Sequence, residues 1–436
     1  MKNLNNRYKK LLTDFDGIFT KIKPGMHIVT GIAAGEPQKL LSEFKKRIKK
    51  WNNLSLYTQF SFLPDPIIEE GMEKHLKYKF GFISVKFRDF VNSGRATFMP
   101  SHNSNVPKNF LSGTWPVDVA IIQVSPPDKN GIVSLGVSVD YIEPALRKAK
   151  IVLAQVNKYM PYTLGDSQIP LSKITALVEY NEPLIEFNWT ENGKVEDKIG
   201  KFVSSLIPNG ATLQMGNGTI PDCILKHLGN KKDLGIHTEM FCDNLIPLIE
   251  KGIITGRKKK IDKGKIVTGF IVGTNKLYQY VSQNKKILFK NWLYTNDPYV
   301  IAKNDNFISI NSAVEVDLCG QVAAESVGSY EFSGTGGQVD FIKGSRLSKG
   351  GKSIIALPST AKKESISRIV PYLSQGAVVT TTRDDVDYVV TEYGIAELRG
   401  MSLGERAREL LKISHPKFRL ELEKIIGNGK NKWNII

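Results

Sequence analysis

Leu213-Gln-Met-Gly-Asn-Gly-Thr-Ile-Pro-Asp-Cys-Ile-Leu225 reads as strand, glycine turn, proline and helix in immediate succession. Pro221 suits the first helical turn, where a missing N–H costs nothing, and the glycines let the backbone turn sharply. The same order of events occurs in the other half of the chain, at Ile28-Val-Thr-Gly-Ile-Ala-Ala-Gly-Glu-Pro-Gln-Lys-Leu-Leu41, with Pro37 in the equivalent place. Around these units lie near-continuous apolar runs, Val117-Asp-Val-Ala-Ile-Ile-Gln-Val124 and Ile151-Val-Leu-Ala-Gln-Val156. Runs of this kind are strands covered on both faces, and a helix over 143–148 lies between them. The second half continues the pattern, with strands expected at Ala211–Met215, Ile266–Val272 and Ser353–Leu357. The expected fold is α/β: two tandem, similar, open domains with mainly parallel sheets covered by helices. The weak periodicity of 180–194 places the boundary there, giving domains 1–185 and 186–436.

The chain has 436 residues, too many for one ordinary domain, and its 41% hydrophobic content supplies sizeable cores. Cys223, Cys242 and Cys319 are far apart and form no Cys-x-x-Cys pair, so neither a disulfide framework nor structural zinc is expected. The six histidines have no metal-ligand spacing. A formal charge of +17 comes from scattered clusters such as Lys45-Lys-Arg-Ile-Lys-Lys50 and Arg257-Lys-Lys-Lys260. These read as solvated faces rather than a nucleic-acid patch, since no nucleic-acid-binding signature accompanies them. No apolar run approaches membrane-spanning length and the first residues lack a signal-peptide core, so a cytoplasmic protein is expected.

Several motifs carry chemistry. Gly216-x-Gly218 is not a dinucleotide fingerprint, because Pro221 stands at the third glycine, and Gly350-Gly-Lys-Ser353 is not a P-loop, because Arg346 stands at the upstream glycine. Gly216–Gly218 does offer backbone N–H groups at a helix start, where a phosphate or carbonyl oxygen can approach. Gly334-Thr-Gly-Gly337 opens a second helix, from Gln338, and can aim two N–H groups at one point, as an oxyanion hole requires. In Leu234-Gly-Ile-His-Thr-Glu-Met240, Glu239 sits where a strand gives way to a helix over 244–250, with Asp243 as its expected N-cap. Open α/β sheets place active sites at such strand ends. Glu392, in Val389-Val-Thr-Glu-Tyr-Gly394, is a second acid of the same kind. Phe307–Leu318 and Gln321–Gly328 read as the two arms of a hairpin turning at Cys319-Gly320. Serine-triad chemistry lacks its Gly-x-Ser-x-Gly elbow, and Cys242 reads as a packing thiol.

Taken together, the blocks resemble the acetyl-CoA hydrolase/transferase branch of the family I coenzyme A transferases. They are Gly31–Pro37, Gln123–Asp128, Gly136–Asp140, Val156–Pro161, Leu234–Met240, Asn311–Asp317, Ser333–Phe341 and Val390–Glu397, in family order. The resemblance implies an active site at the interface of the two domains. It makes Glu239 the nucleophile that carries first the acyl group and then CoA, and Gln214, Met215, Gly216, Asn217 and Gly218 a CoA-contacting turn. It implies CoA contacts for Ser333, Gly336 and Gly337, with the Gly337 N–H near the thioester oxygen, and accessory roles for Asn296 and Glu392. The implied activity is CoA transfer between short carboxylic acids, acetate or acetyl-CoA with 4-hydroxybutyrate. An acyl-CoA hydrolase is the alternative on the same scaffold, and a non-catalytic CoA- or nucleic-acid-binding protein the alternative from another class. Acyl-CoA enters as substrate, with no permanently bound cofactor and no metal. The expected partners are these small molecules and a second copy of the chain, with neither nucleic acid nor membrane.

Overall fold

The computed structural model describes residues 2–64, 67–187, 193–216 and 218–427. The first sheet is built from β1 (His27–Thr30), β2 (Leu54–Gln59), β3 (Leu76–Phe82), β4 (Thr97–Phe98), β5 (Val119–Val124), β6 (Ile151–Val156) and β7 (Ala176–Glu179). The second uses β8 (Thr212–Met215), β9 (Gly235–Phe241), β10 (Ile266–Ile271), β11 (Ile287–Phe289), β12 (Phe307–Asn311), β13 (Lys352–Ala356), β14 (Tyr388–Thr391) and β15 (Gly394–Glu397). Their spatial orders are β4-β3-β2-β1-β5-β6-β7 and β11-β10-β9-β8-β12-β13-β14-β15. In each, the first strand sits inside, the next three build outward on one side, and the following strands build outward on the other. Pairings from β1 to β2 and β5, and from β8 to β9 and β12, are parallel; β14 and β15 close the second sheet as an antiparallel hairpin.

This order creates a switch in winding direction between β1 and β5, and again between β8 and β12. At such a point two neighbouring loops leave in opposite directions and open a crevice at the strands' carboxyl ends. The strand–glycine–helix units singled out in the sequence follow β1 and β8, so both glycine turns fall at switch points. The helix Gln38–Arg47 buries Leu40, Leu41 and Phe44 against Leu54, Leu56, Phe80 and Ile121 of the first sheet. A second core gathers Val316, Ile355, Leu357, Val389 and Leu410. Each such side chain contributes about 1.5–3 kcal/mol of transfer free energy.

The chain divides into two compact units. One comprises Met1–Asn188, Glu239–Asp243 and Val267–Thr295; the other comprises Trp189–Thr238, Asn244–Ile266 and Asn296–Ile436. Glu239 therefore groups with the first unit, although it is encoded in the second half. Part of the expected boundary, residues 188–192, lies outside the described residues. Two local expectations are corrected. The strand beginning at Phe307 ends at Asn311 within the parallel sheet, and the hairpin at Gly320 is short, pairing only Glu315–Asp317 with Val322–Ala323. Asp243 does not cap a helix at 244: a 3-10 turn (Asp243–Leu245) precedes the helix Ile246–Glu250, and the Asp243 carboxylate accepts from Thr274 N and Oγ1 at 3.0 and 2.6 Å. Among the described residues, no helix is long and apolar enough to cross a membrane, and no three His, Cys, Asp or Glu cluster to hold a metal.

Candidate active site

Glu239 lies within β9, which continues to Phe241, so it is not the strand's last residue. Gly235 to Thr238 are buried. His237 packs edge-on against the rings of Phe307 and Phe341, and the Thr238 hydroxyl donates to Met215 O at 3.1 Å. Glu239 is the first residue of the strand to be partly exposed. Both faces of the strand are thus packed up to Glu239, which is itself only partly buried.

The first unit builds an acidic setting for it. The Thr268 hydroxyl, on β10, donates to Glu239 O at 3.2 Å. A methyl added at Gly269 would lie 3.2 Å from that carbonyl and 3.0 Å from Trp292 Nε1, so the approach of these groups depends on glycine. The Gly269 carbonyl in turn accepts from Val139 N at 3.0 Å and Asp140 N at 3.3 Å. Asp140 is wholly buried; one oxygen accepts from the Ser138 hydroxyl, and the other from Tyr141 N and Ile142 N at 2.7 and 3.1 Å. Those bonds favour its anion. Burial outweighs them, and with the Glu239 charge adding to the effect the Asp140 carboxyl is pushed up to about 7.

A second buried carboxyl, Glu36, follows the turn after β1. It accepts from Phe62 N at 2.8 Å, while Gln123 Nε2 donates to its backbone carbonyl at 3.1 Å. Burial pushes Glu36 up to about 8 against the opposing bonds from Ser61, Phe62, Leu63 and Thr58. A methyl at Gly35 would lie 2.5 Å from Ser138 Cβ, so the turn and the Ser138–Asp140 pair depend on one another's shape. The turn is also strained: Ala33 and Phe60, neither of them glycine, have φ of +50° and +39°, and Ala33 N donates to Phe60 O at 3.1 Å. Conformations of this kind cost on the order of 1–3 kcal/mol each and collect at functional sites.

The second unit builds a neutral setting at its own switch point. Gln214 Oε1, near the end of β8, accepts from Ile310 N at 3.2 Å and Asn311 Nδ2 at 3.4 Å, both on neighbouring β12. That clamp fixes where the chain enters the glycine turn. Gly218 has φ +133°, which only glycine adopts readily, and precedes the helix Thr219–Lys226. A methyl at Gly216 would meet nothing within 4 Å. Asn217 lies outside the described residues. Further along, Glu325 organises the other glycine loop: its carbonyl accepts from Phe332 N and Ser333 N at 2.9 and 3.0 Å, and its carboxylate from the Thr335 hydroxyl at 2.9 Å. Gly336 takes φ +57°, and Gly337 precedes the helix Gln338–Leu347, which is longer than the sequence suggested. Asn296 is fully buried in the turn before the helix Pro298–Ala302. Glu392 occupies the tight turn between β14 and β15, where Ser359 N and Oγ donate to its two oxygens at 2.8 and 2.5 Å.

The chain as a whole is similar to known proteins. The acetyl-CoA hydrolase/transferase N-terminal domain matches residues 1–187, and the C-terminal domain of the same family matches residues 273–426. The chain is 49% identical over 415 residues to the 4-hydroxybutyrate coenzyme A transferase of Clostridium kluyveri, covering 95% of this chain and 97% of that one. The chain belongs to the acetyl-CoA hydrolase/transferase family. Another relative in this acetyl-CoA hydrolase/transferase family is the succinyl-CoA:cyclohexane-1-carboxylate CoA transferase of Geobacter metallireducens, 42% identical over 92% of this chain and 91% of that one. The crystal structure of a 4-hydroxybutyrate CoA-transferase from Porphyromonas gingivalis superposes with a TM-score of 0.85 at 40% identity, covering 97% of this chain and 99% of that one.

Within this acetyl-CoA hydrolase/transferase chain, the first unit holds Glu239, and the second holds Gln214–Gly218, Asn296, Ser333–Gly337 and Glu392. Sequence reasoning singled out no role for Glu36, Ser138, Asp140, Asn311 or Glu325. One local signal was present: Ser138 and Asp140 are two apart, the spacing that puts both side chains on one face of an extended segment.

Proposed function

We propose that the chain is an acyl-CoA:carboxylate CoA-transferase working through Glu239. Glu239 carries the reading: in β9 it is the first residue that is not fully buried, and it lies close enough to the buried Asp140 for its charge to add to burial in raising that carboxyl's pKa. CoA thiolate cannot expel oxide from a free carboxylate, so an acid must first be activated as an anhydride before it can take CoA. A covalent carrier divides the exchange into feasible steps.

The Glu239 carboxylate attacks the thioester carbonyl of acyl-CoA, forming an acyl-glutamyl anhydride and releasing CoA thiolate. The thiolate attacks the glutamyl carbonyl, expelling the donor acid as carboxylate and leaving a glutamyl-CoA thioester. An incoming carboxylate then attacks that thioester, and the returning thiolate takes the new acyl group, regenerating Glu239. Charge balances without any proton transfer. Each step passes through an oxyanion, for which the Gly337 N–H at a helix start is the donor in this reading. Ser333 and Gly336 contact CoA, as does the turn Gln214–Gly218. Asn296 and Glu392 serve as accessory groups, Glu392 through its hold on Ser359. Acetyl-CoA or acetate with 4-hydroxybutyrate is the favoured substrate pair, consistent with the similarity to the Clostridium kluyveri transferase.

The test is to incubate the protein with acetyl-CoA and search by mass spectrometry for CoA attached to the peptide holding Glu239. No adduct in the wild type, or full turnover in Glu239→Gln, would sink the mechanism. Supplying acetate, butyrate or 4-hydroxybutyrate as acceptor then separates transfer from hydrolysis. Free acid produced without new acyl-CoA would make the chain a hydrolase.

A further inference from the structure

The first sheet carries a second recess, toward the amino ends of its strands rather than the carboxyl ends where Glu36 follows β1. It is a cavity of about 320 Å3. Small-molecule pockets begin at about that size. His27 opens β1 and pairs in register with Ser55 on β2; Tyr57, two residues on, pairs with Lys79 on β3. All four line the cavity, with Phe110 and Trp115. The three aromatic rings close on one another, with Tyr57 5.3 Å from Phe110 and 5.1 Å from Trp115, centroid to centroid. One wall is therefore rigid and apolar.

Beside that wall the lining is cationic. Lys79 is partly buried, yet makes no hydrogen bond or ion pair to any described residue. Burial lowers its pKa, and the neighbouring Lys77 lowers it further. Removing an ammonium from water without a partner is costly, and proteins ordinarily supply a counter-charge. The carboxylate beside His27, that of Asp118, is already taken up by His27 N at 3.0 Å and Lys150 Nζ at 3.1 Å. His27 Nδ1 is paired with the Ser55 hydroxyl at 2.7 Å, and burial and then the Lys79 charge hold the ring's pKa below its usual value. The recess thus sets an ammonium with no carboxylate partner among the described residues next to an apolar, aromatic wall.

We propose that this cavity binds a small monoanion with an apolar body, a short aliphatic carboxylate, with Lys79 holding its charged end and Tyr57, Phe110 and Trp115 its chain. The site is separate from the proposed reaction and does not depend on it. Lys79 and the aromatic wall divide recognition in two, so neither charge nor chain alone suffices.

Trp115 is a built-in reporter. Titrating the full chain with sodium butyrate against matched sodium chloride should give a saturable change in tryptophan fluorescence that disappears in Trp115→Phe. Butyramide, which keeps the chain and loses the charge, and formate, which keeps the charge and loses the chain, should each bind at least about tenfold more weakly. Lys79→Met should weaken butyrate by at least about tenfold while leaving thermal stability equal or higher, because it removes an unpaired charge. Lys79→Arg should retain binding, and so should Glu239→Gln, which separates this site from the carboxylate-exchange chemistry. The proposal is overturned if the wild type gives no saturable signal dependent on Trp115, if Lys79→Met binds as tightly as wild type, or if Glu239→Gln abolishes the signal.

Discussion

The two switch points have the same strand order and opposite chemistry. After β1 the chain places a buried carboxyl, Glu36, in a strained turn packed on Ser138, which donates to a second buried carboxyl, Asp140. After β8 it places neutral amides, Gln214 against Asn311, and two glycines that expose backbone. One topology therefore supports a pair of buried carboxyls in the first unit and an uncharged, backbone-rich turn in the second. The sheet order fixes where a crevice opens; the residues following the first strand decide what it is fit to hold. Buried carboxyls with raised pKa values hold protons near neutral pH and so add little negative charge there. A cradle of N–H groups suits phosphates and thioester oxygens.

The sharpest way to break this division of labour is Glu239→Gln. If the acidic unit supplies the covalent carrier, turnover should fall by at least about a thousandfold, and no CoA adduct should form on that peptide. Acyl-CoA binding, measured by equilibrium dialysis, should change little, because the cradle belongs to the other unit. Loss of binding in parallel with turnover would contradict the separation.

A smaller effect tests the cradle itself. Gly218→Ala imposes φ +133° on an L-residue, whereas Gly216→Ala adds a methyl with no neighbour within 4 Å. Gly218→Ala should lower stability by about 1–3 kcal/mol and raise KM for acyl-CoA, while Gly216→Ala should leave the melting temperature almost unchanged. Denaturant unfolding of the two variants side by side checks this. Equal destabilisation would mean the turn is not held in the conformation described.

The two buried carboxyls make their own prediction, through pH. Glu36 and Asp140 have folded-state pKa values of about 8 and about 7, above their usual values of 4.5 and 3.8. The folded state thus binds more protons than the unfolded chain in those windows, so the stability each carboxyl contributes is complete below about 4 and is lost as pH rises through its folded value. Wild-type stability should therefore decline between about pH 5 and 8, by an amount on the order of a few kcal/mol. Glu36→Gln should flatten the decline up to about pH 8, and Asp140→Asn the part up to about pH 7. Urea melts at several pH values measure the slopes. An unchanged slope in both variants would show that these groups ionise freely.

Much of the architecture was legible because its signals are local. Val119–Val124 and Ile151–Val156 are apolar almost throughout, and a strand buried on both faces has no other way to look. The turns after β1 and β8 were legible from glycine and proline chemistry. What was missed depends on distant partners. Asp243 looked like a cap because aspartate before a helix usually is one; Thr274, 31 residues away, claims its carboxylate instead. The acids at 36 and 140 looked ordinary because nothing nearby reveals burial, which comes from segments far along the chain. Glu239 stood out by its place on a strand, but Asp140, whose carboxyl is raised by burial with the Glu239 charge adding to it, comes from a block about a hundred residues earlier.

Glu392 illustrates the smallest expected effect and the most local cause. A carboxylate in the hairpin turn at the edge of a sheet invites a catalytic reading, yet both of its oxygens are occupied by Ser359, through N–H and hydroxyl. Its first task is therefore to pin the segment after β13 to the tip of the β14–β15 hairpin. Ser359→Ala removes the hydroxyl donor and keeps the N–H, and should cost about 0.5–1.5 kcal/mol with less than about a tenfold change in kcat. Glu392→Gln keeps one acceptor and should behave similarly. A much larger loss of kcat in Glu392→Gln than in Ser359→Ala, at equal stability, would mean that the carboxylate charge acts on substrate directly. Equal, small losses would assign it to holding the turn.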